Sequence, residues 1–238
     1  MIPQLYVWFR HWSTYGSVYM IADTHFEDDD CQIMDPTWVT PQQQIFNINR
    51  VVTSNDTLIH LGDVGRKDYI TRIRARYKIL VTGNHDDGET TYADYFDEVY
   101  TGPLFIGQRI LLSHEPIRDV PFCLNIHGHE HYGETQDDFH LNVAANMVNY
   151  KPVNLGTLLN NGILHDIKDI HRMTIDNRVL DAKWKQGKIS ENVEGLKVYW
   201  IGKTKTEDPD LDEFKKIQSR EKAKVKAKER LAEYGVEI

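Results

Sequence analysis

An alternation near the start of the chain constrains the fold more than any other feature. Residues 17–22, 57–61 and 77–81 read as short buried strands, while 42–52 and 68–75 carry apolar residues at helical intervals. Strands that alternate with helices in this way bury their faces as parallel βαβ units. Past Gly88 the pattern changes to short apolar runs at 104–106, 110–113, 122–127 and 139–143, punctuated by Gly102, Pro103, Gly107, Pro116 and Pro121. These strand and turn signals predict a second sheet packed on the first, with helices outside. Residues 155–159 predict a small helix closing the compact unit, 194–201 a further strand, and 210–234, dense in Lys, Glu and Ala, a helix.

At 238 residues the chain can bury a substantial core, as one large domain or a domain with an appendage. Its 40% hydrophobic and 27% charged residues exclude wholesale disorder and a fibrous class. A net charge of −8 disfavours long polyanions as partners of the bulk surface. Cys31 and Cys123 can form at most one disulfide and have no zinc-motif spacing, which points to a reducing compartment. In residues 1–20 Arg10 and His11 interrupt the apolar run, so no membrane span is expected, and no signal-peptide pattern is present. A cytoplasmic location is the resulting expectation.

Five polar segments follow predicted strands, where an α/β sheet presents the carboxyl ends at which ligands bind. They are Asp23-Thr24-His25, Gly62-Asp63, Gly83-Asn84-His85-Asp86, Ser113-His114 and Gly128-His129-Glu130-His131. Together they supply carboxylates, an amide oxygen and imidazoles. That mixture suits borderline first-row cations (Mn, Fe, Zn, Co or Ni) better than calcium, which takes oxygen ligands, or a thiolate-bound structural zinc. Alternate residues leaving a strand point the same way, so Asp23 and His25 can reach one ion, and His129 and His131 repeat the spacing. Glycines precede ligands at 62, 83 and 128, where a missing Cβ permits sharp turns and close backbone approach.

In this order the five segments resemble the D-x-H, G-D, G-N-H-D/E, H and G-H-x-H motifs of the calcineurin-like metallophosphoesterase family, over roughly the first 165 residues. The resemblance implies a four-layer αββα sandwich of two mixed β-sheets with a C-terminal helical extension. It divides the chain into a catalytic domain at 1–165 and an extension with a charged tail at 166–238. It also implies two divalent transition-metal ions, manganese foremost, with Asp63 bridging them. Asp23, His25 and His131 would complete one metal, and Asn84, His114 and His129 the other. His85 would stay unligated beside the substrate, and Asp86 would orient His85 or a neighbouring loop. The implied reaction is direct attack of hydroxide, held between the cations, on a phosphate mono- or diester, most simply a small nucleotide-like one. No Gly-x-Ser-x-Gly elbow or Walker loop points to other chemistry.

Other features carry weaker readings. Arg66 is either a substrate-phosphate contact or a surface arginine, and the chain lacks the G-D-x-x-D-R-G pattern of the phosphoprotein-phosphatase branch. Glu27, Asp28, Asp29 and Asp30 read as a solvated loop, or as a negative screen that excludes extended nucleic acid. His60, His127, His140, His165 and His171 read as structural. The tail, from Lys215 to Arg230, reads as a solvated helix, or as a nucleic-acid contact that would make the enzyme a metal-dependent nuclease. A non-catalytic scaffold on the same fold is the remaining alternative.

Overall fold

A computed structural model describes residue 12 and residues 16–87, 91–133, 135, 137–168 and 209–236. The expected strand at 194–201 lies outside them. Strands β1 (Val18–Ile21), β2 (Thr57–His60), β3 (Tyr77–Val81) and β4 (Glu98–Tyr100) run parallel, and β9 (Val153–Asn154) pairs antiparallel with β1. The order is β4-β3-β2-β1-β9. Every residue of β2 is buried, as a central parallel strand covered on both faces requires.

The second sheet has the order β5-β6-β7-β8, with β5 (Leu104–Ile106) antiparallel to β6 (Ile110–Leu112). Strands β7 (Leu124–His127) and β8 (His140–Asn142) continue it in parallel. The expected α/β class with two mixed sheets and a C-terminal helix is therefore observed. At their carboxyl ends the sheets are stitched together: Ala22 donates its amide to the Val143 carbonyl (3.0 Å) and accepts from Ala145 (2.8 Å). This join brings the ends of β1 and β8 to one place.

Helix α1 spans Asp29–Met34, α2 Pro41–Val51 and α3 Leu155–Asn160, with a 3-10 helix at Lys67–Arg72 where a short helix was expected. Pro41 opens α2 behind the Thr40 cap, whose side chain accepts from the Gln43 amide. Helix α1 corrects the reading of the acidic run as a loop. Asp28 caps it by accepting from the Asp30 amide, and Asp29 and Asp30 occupy its first turn, where negative charge suits the helix dipole.

Helix α4 (Pro209–Glu233) is not solvated all round. It buries Ala227 and Leu231, and Lys224 pairs with Asp35 at 3.2 Å. Lys228 donates to Asn149, Arg230 to the carbonyls of Asp137 and His140, and Arg220 lies 4.7 Å over the Tyr132 ring. Among the described residues no helix is long and apolar enough to cross a membrane.

Candidate metal centre

The site forms where the chain leaves β1, β2, β3, β6 and β7. Asp23, His25, Asp63 and His129 all have left-handed backbone, with φ between 41° and 66°. Such dihedrals are uncommon outside glycine and persist only where surrounding structure enforces them. Side chains at Asp23 and His25 converge as expected, with His25 Nε2 4.0 Å from Asp23 Oδ1. The cause differs from the expected strand alternation: both residues sit in a left-handed turn. Thr24 between them donates to the Val64 carbonyl and contacts His60 in the interior.

Two glycines explain how closely the segments approach. A Cβ at Gly83 would lie 2.2 Å from Asp63 Oδ1, and one at Gly128 would lie 2.2 Å from Asp23 Oδ2. Any side chain there would displace a carboxylate.

Among the described residues three groups could hold an ion; one of them, His25, Asp28 and Cys31, shares His25 with the first of the two built from the expected residues. In the first, Asp23, His25 and His131 each offer an atom within 4.8 Å of the others, and in the second Asp63, His114 and His129 do. The Asn84 amide oxygen joins the second at 2.9 Å from His114 Nε2 and 3.0 Å from His129 Nδ1. Asp63 Oδ2 stands between the groups, 3.6 Å from His25 Nε2 and 3.3 Å from His114 Nε2. His129 and His131, spaced like Asp23 and His25, do not meet in one group: His129 belongs to the second and His131 to the first.

Hydrogen bonds behind the imidazoles fix which nitrogen faces the cluster. His114 Nδ1 lies 2.8 Å from the Leu61 carbonyl, which cannot donate, so Nδ1 carries the proton and Nε2 faces Asp63. His25 Nδ1 meets Asp28 Oδ2 at 3.1 Å, turning Nε2 inward. His131 Nδ1 lies 3.5 Å from Asn146 Oδ1, leaving Nε2 towards Asp23 at 3.9 Å, and Asn146 Nδ2 also donates to the His131 carbonyl at 2.8 Å. Such outer partners orient metal-ligating histidines.

Asp28 and Asn146 escaped sequence reasoning. The signal for Asp28 was present, three residues after His25, but it was buried in a run of four acids. Nothing about Asn146 in the sequence distinguishes it.

Electrostatics at the cluster are strained when only protons are available to balance charge. Burial pushes the Asp23 carboxyl up to about 8, with His114 opposing and Asp63 adding to the shift. Burial also disfavours charge on Asp63, but the hydrogen bond and charge of His114 outweigh it and hold Asp63 at about 2. Burial would lower His114, but Asp63 and Asp23 raise it to about 9. Burial lowers His25, and it lowers His131 to about 4. His25 Nε2 is buried without a hydrogen-bond partner. An orphaned imidazole nitrogen facing two carboxylates fits a divalent cation.

The remaining expected site residues lie at the edge or outside the cluster. The His85 ring is exposed, 5.7 Å from the His25 ring, while its amide donates to Asp63 Oδ1 at 2.9 Å. Of the two roles expected for Asp86, the structure displays contact with a neighbouring loop: it accepts from the amides of Asp63 and Val64. Arg66 is not brought to the cluster. Its exposed guanidinium pairs with Glu27 at 2.6 Å and Asp68 at 3.3 Å. His60, His127 and His140 are buried and hydrogen-bonded, His165 pairs at the surface with Asp166, and His171 lies outside the described residues.

No family model matches the chain. An uncharacterized protein of Methanocaldococcus jannaschii is 27% identical over 173 residues, which cover 60% of this chain and 89% of that protein. A crystal structure of a protein of unknown function from Aquifex aeolicus matches with a TM-score of 0.52 at 28% identity, covering 60% of this chain and 98% of that one. More distantly, the nuclease MPE of Pseudomonas putida matches at 20% identity with a TM-score of 0.36, over 48% of this chain and 61% of that one. A Vps29 single mutant from Entamoeba histolytica matches at 21% identity with a TM-score of 0.34, over 54% and 74%.

Proposed function

We propose that the protein is a binuclear metal-dependent phosphoesterase that hydrolyses a phosphate mono- or diester. The observation that carries this reading is Asp63, whose single oxygen Oδ2 lies within 3.6 Å of imidazoles from two separate ligand groups. In this reading Asp23, His25 and His131 hold one ion, and Asn84, His114 and His129 hold the other. Asp63 serves both. The nitrogen and oxygen donors suit a first-row divalent cation, manganese foremost and iron, zinc, cobalt or nickel as alternatives. Two divalent cations held there would supply Lewis acidity at a phosphoryl oxygen and would lower the pKa of bound water.

The chain's own residues position the substrate around that chemistry. His85 lies exposed at the rim with its ring against His25, where it can donate a hydrogen bond to a phosphoryl oxygen or a proton to the departing alkoxide. Asp86 acts through Asp63 and is a positioning residue. The nuclease reading needs the tail's cations to face nucleic acid. Arg220, Lys224, Lys228 and Arg230 contact the protein's own surface, which favours a small ester, although Lys222 and Lys226 are exposed.

Metal analysis combined with hydrolysis of p-nitrophenyl phosphate esters tests the proposal. The protein is expected to hold up to two transition ions, to lose turnover on chelation and to regain it with manganese. Turnover unaffected by a chelator, or none after manganese is restored, would sink it.

A further inference from the structure

Resting on that reading, we propose that α4 is the outer support of the first ligand group, in which Arg220, Lys224 and Ala227 act as positioning residues for His25 and His131 and have no hold on the second group. The three residues are spaced by four and three along the helix and so share one face. Each meets a different support of the first group.

Lys224 acts through Trp38, whose ring makes edge contacts with both imidazoles of the group, at centroid distances of 6.1 Å to His25 and 5.5 Å to His131. Asp35 folds the turn that presents Trp38. Its carbonyl accepts from the Trp38 amide at 2.9 Å, and its Oδ1 accepts from the amide and hydroxyl of Thr37 at 2.9 and 2.6 Å. Lys224 donates to the other carboxylate oxygen, Oδ2, at 3.2 Å. Arg220 acts on the residue after His131: it lies over the Tyr132 ring, and the Tyr132 hydroxyl donates to the Met34 carbonyl at 3.4 Å, next to Asp35. Ala227 is buried against Ala144 and Met147. Those two residues stand on either side of Asn146, whose amide meets both Nδ1 and the carbonyl of His131.

The second group is held otherwise. Its supports are the Leu61 carbonyl behind His114 and the Asp86 carboxylate behind Asp63. Among the described residues the other hydrogen bonds of α4 run to Asn149, Asp137 and His140, and none reaches these supports. An ion binds tightly to donors already in place, whereas loosened donors must be ordered at the moment of binding. Docking of α4 therefore favours an ion in the first group, and by linkage an ion there holds α4 down. The sign separates this effect from simple electrostatics. Removing two positive charges from the helix would strengthen cation binding by Coulomb attraction alone, whereas loss of positioning weakens it.

The test is a manganese titration of the full chain carrying Arg220→Ala and Lys224→Ala together. One binding step is expected to weaken by about tenfold, the lower end of the cost of disturbing an outer partner, with the other step unchanged. Lys222→Ala with Lys226→Ala removes the same charge from exposed positions of the same helix and should weaken neither step. Lys224→Arg keeps a cation for Asp35 and should bind as the parent does. His131→Ala identifies the step: with the first group disabled, adding the Arg220 and Lys224 substitutions should leave the remaining affinity unmoved. Hydrogen exchange of the metal-free double variant reads the positioning without an ion. The Trp38 and Val39 amides should exchange faster than in the parent, and the Asp63 and Gly83 amides, both held by Asp86, should not. Were the parent to bind no manganese, the phosphoesterase reading would fall, and this exchange pattern would still uphold the support by α4. Unchanged exchange at Trp38 and Val39, equal weakening of both steps, the same loss in the Lys222 and Lys226 variant, or a loss that persists beside His131→Ala would each overturn the inference.

Discussion

The Asp86 carboxylate grips the backbone of Asp63: its Oδ2 accepts from the Asp63 amide at 2.8 Å and from the Gly83 amide at 2.8 Å. Oδ1 accepts from the Val64 amide and the Tyr92 hydroxyl, each at 2.9 Å. One side chain thus locks the loop after β2 to the loop after β3 and holds Asp63 in its left-handed turn.

Replacing Asp86 by Asn keeps the size of the side chain but turns one of the two acceptor atoms into a donor. The Asp63 carboxylate should then lose its fixed aim while remaining chemically intact. Metal affinity is expected to fall by about 10–100-fold, the usual cost of disturbing an outer-shell partner. Titration of the metal-free variant with manganese measures this, and unchanged affinity would show that Asp86 serves folding alone.

Asp63→Asn and His85→Ala should fail differently. The first removes the charge shared by both ligand groups, so metal content and turnover should fall together. The second removes an exposed ring that belongs to neither group, so metal content should stay near normal while turnover falls by about 10²–10⁴-fold. The fall should be smaller for a p-nitrophenyl ester than for an alkyl ester, because a phenolate needs little protonation on leaving. Equal falls would assign His85 to the phosphoryl oxygens instead.

The parallel units and the cluster were legible in the sequence because both obey short-range rules. Apolar runs such as those of β2 and β3 have the length and enclosure of buried parallel strands, and the polar segments fall directly after them. Strand β9 was not legible, since its two residues have no measurable period. Asp28 looked like one acid among four, and only the fold turns it towards His25 Nδ1. The docking of α4 was hidden for a different reason. Its contact face includes Arg220 and Lys224, whose partners Tyr132 and Asp35 are far away in sequence, so the helix lacks a continuous apolar stripe.

That docked face predicts a contrast along one helix. Leu231 is 1% exposed and belongs to the main core, whereas Val225 is 54% exposed. Leu231→Ala is expected to cost about 2–5 kcal/mol, as core truncations do, and Val225→Ala to stay within about 0.5 kcal/mol. Urea denaturation of the two variants checks this. Equal and negligible effects would detach α4 from the folded unit.

His60 predicts how stability responds to acid. Thr24 spends its hydroxyl proton on the Val64 carbonyl, so the 2.9 Å contact between Thr24 Oγ1 and His60 Nε2 requires the ring to donate from Nε2. The other nitrogen, Nδ1, is then an unprotonated acceptor, buried without a partner. A second proton on this ring would find no acceptor, and burial accordingly lowers the imidazole pKa from 6.5 to about 4. The sign follows. A histidine whose folded pKa is depressed contributes stability that is complete above its unfolded value of 6.5 and is lost as pH falls towards about 4. The unfolded chain binds the proton that the folded chain refuses, at up to about 1.4 kcal/mol per pH unit. His60→Gln retains an amide donor for Thr24 but cannot titrate. Its stability should decline less steeply than that of the parent between pH 6.5 and 4. Denaturation midpoints across that interval measure the difference in slope, and parallel curves for the two proteins would show that His60 binds its proton as readily folded as unfolded, which would overturn the assignment.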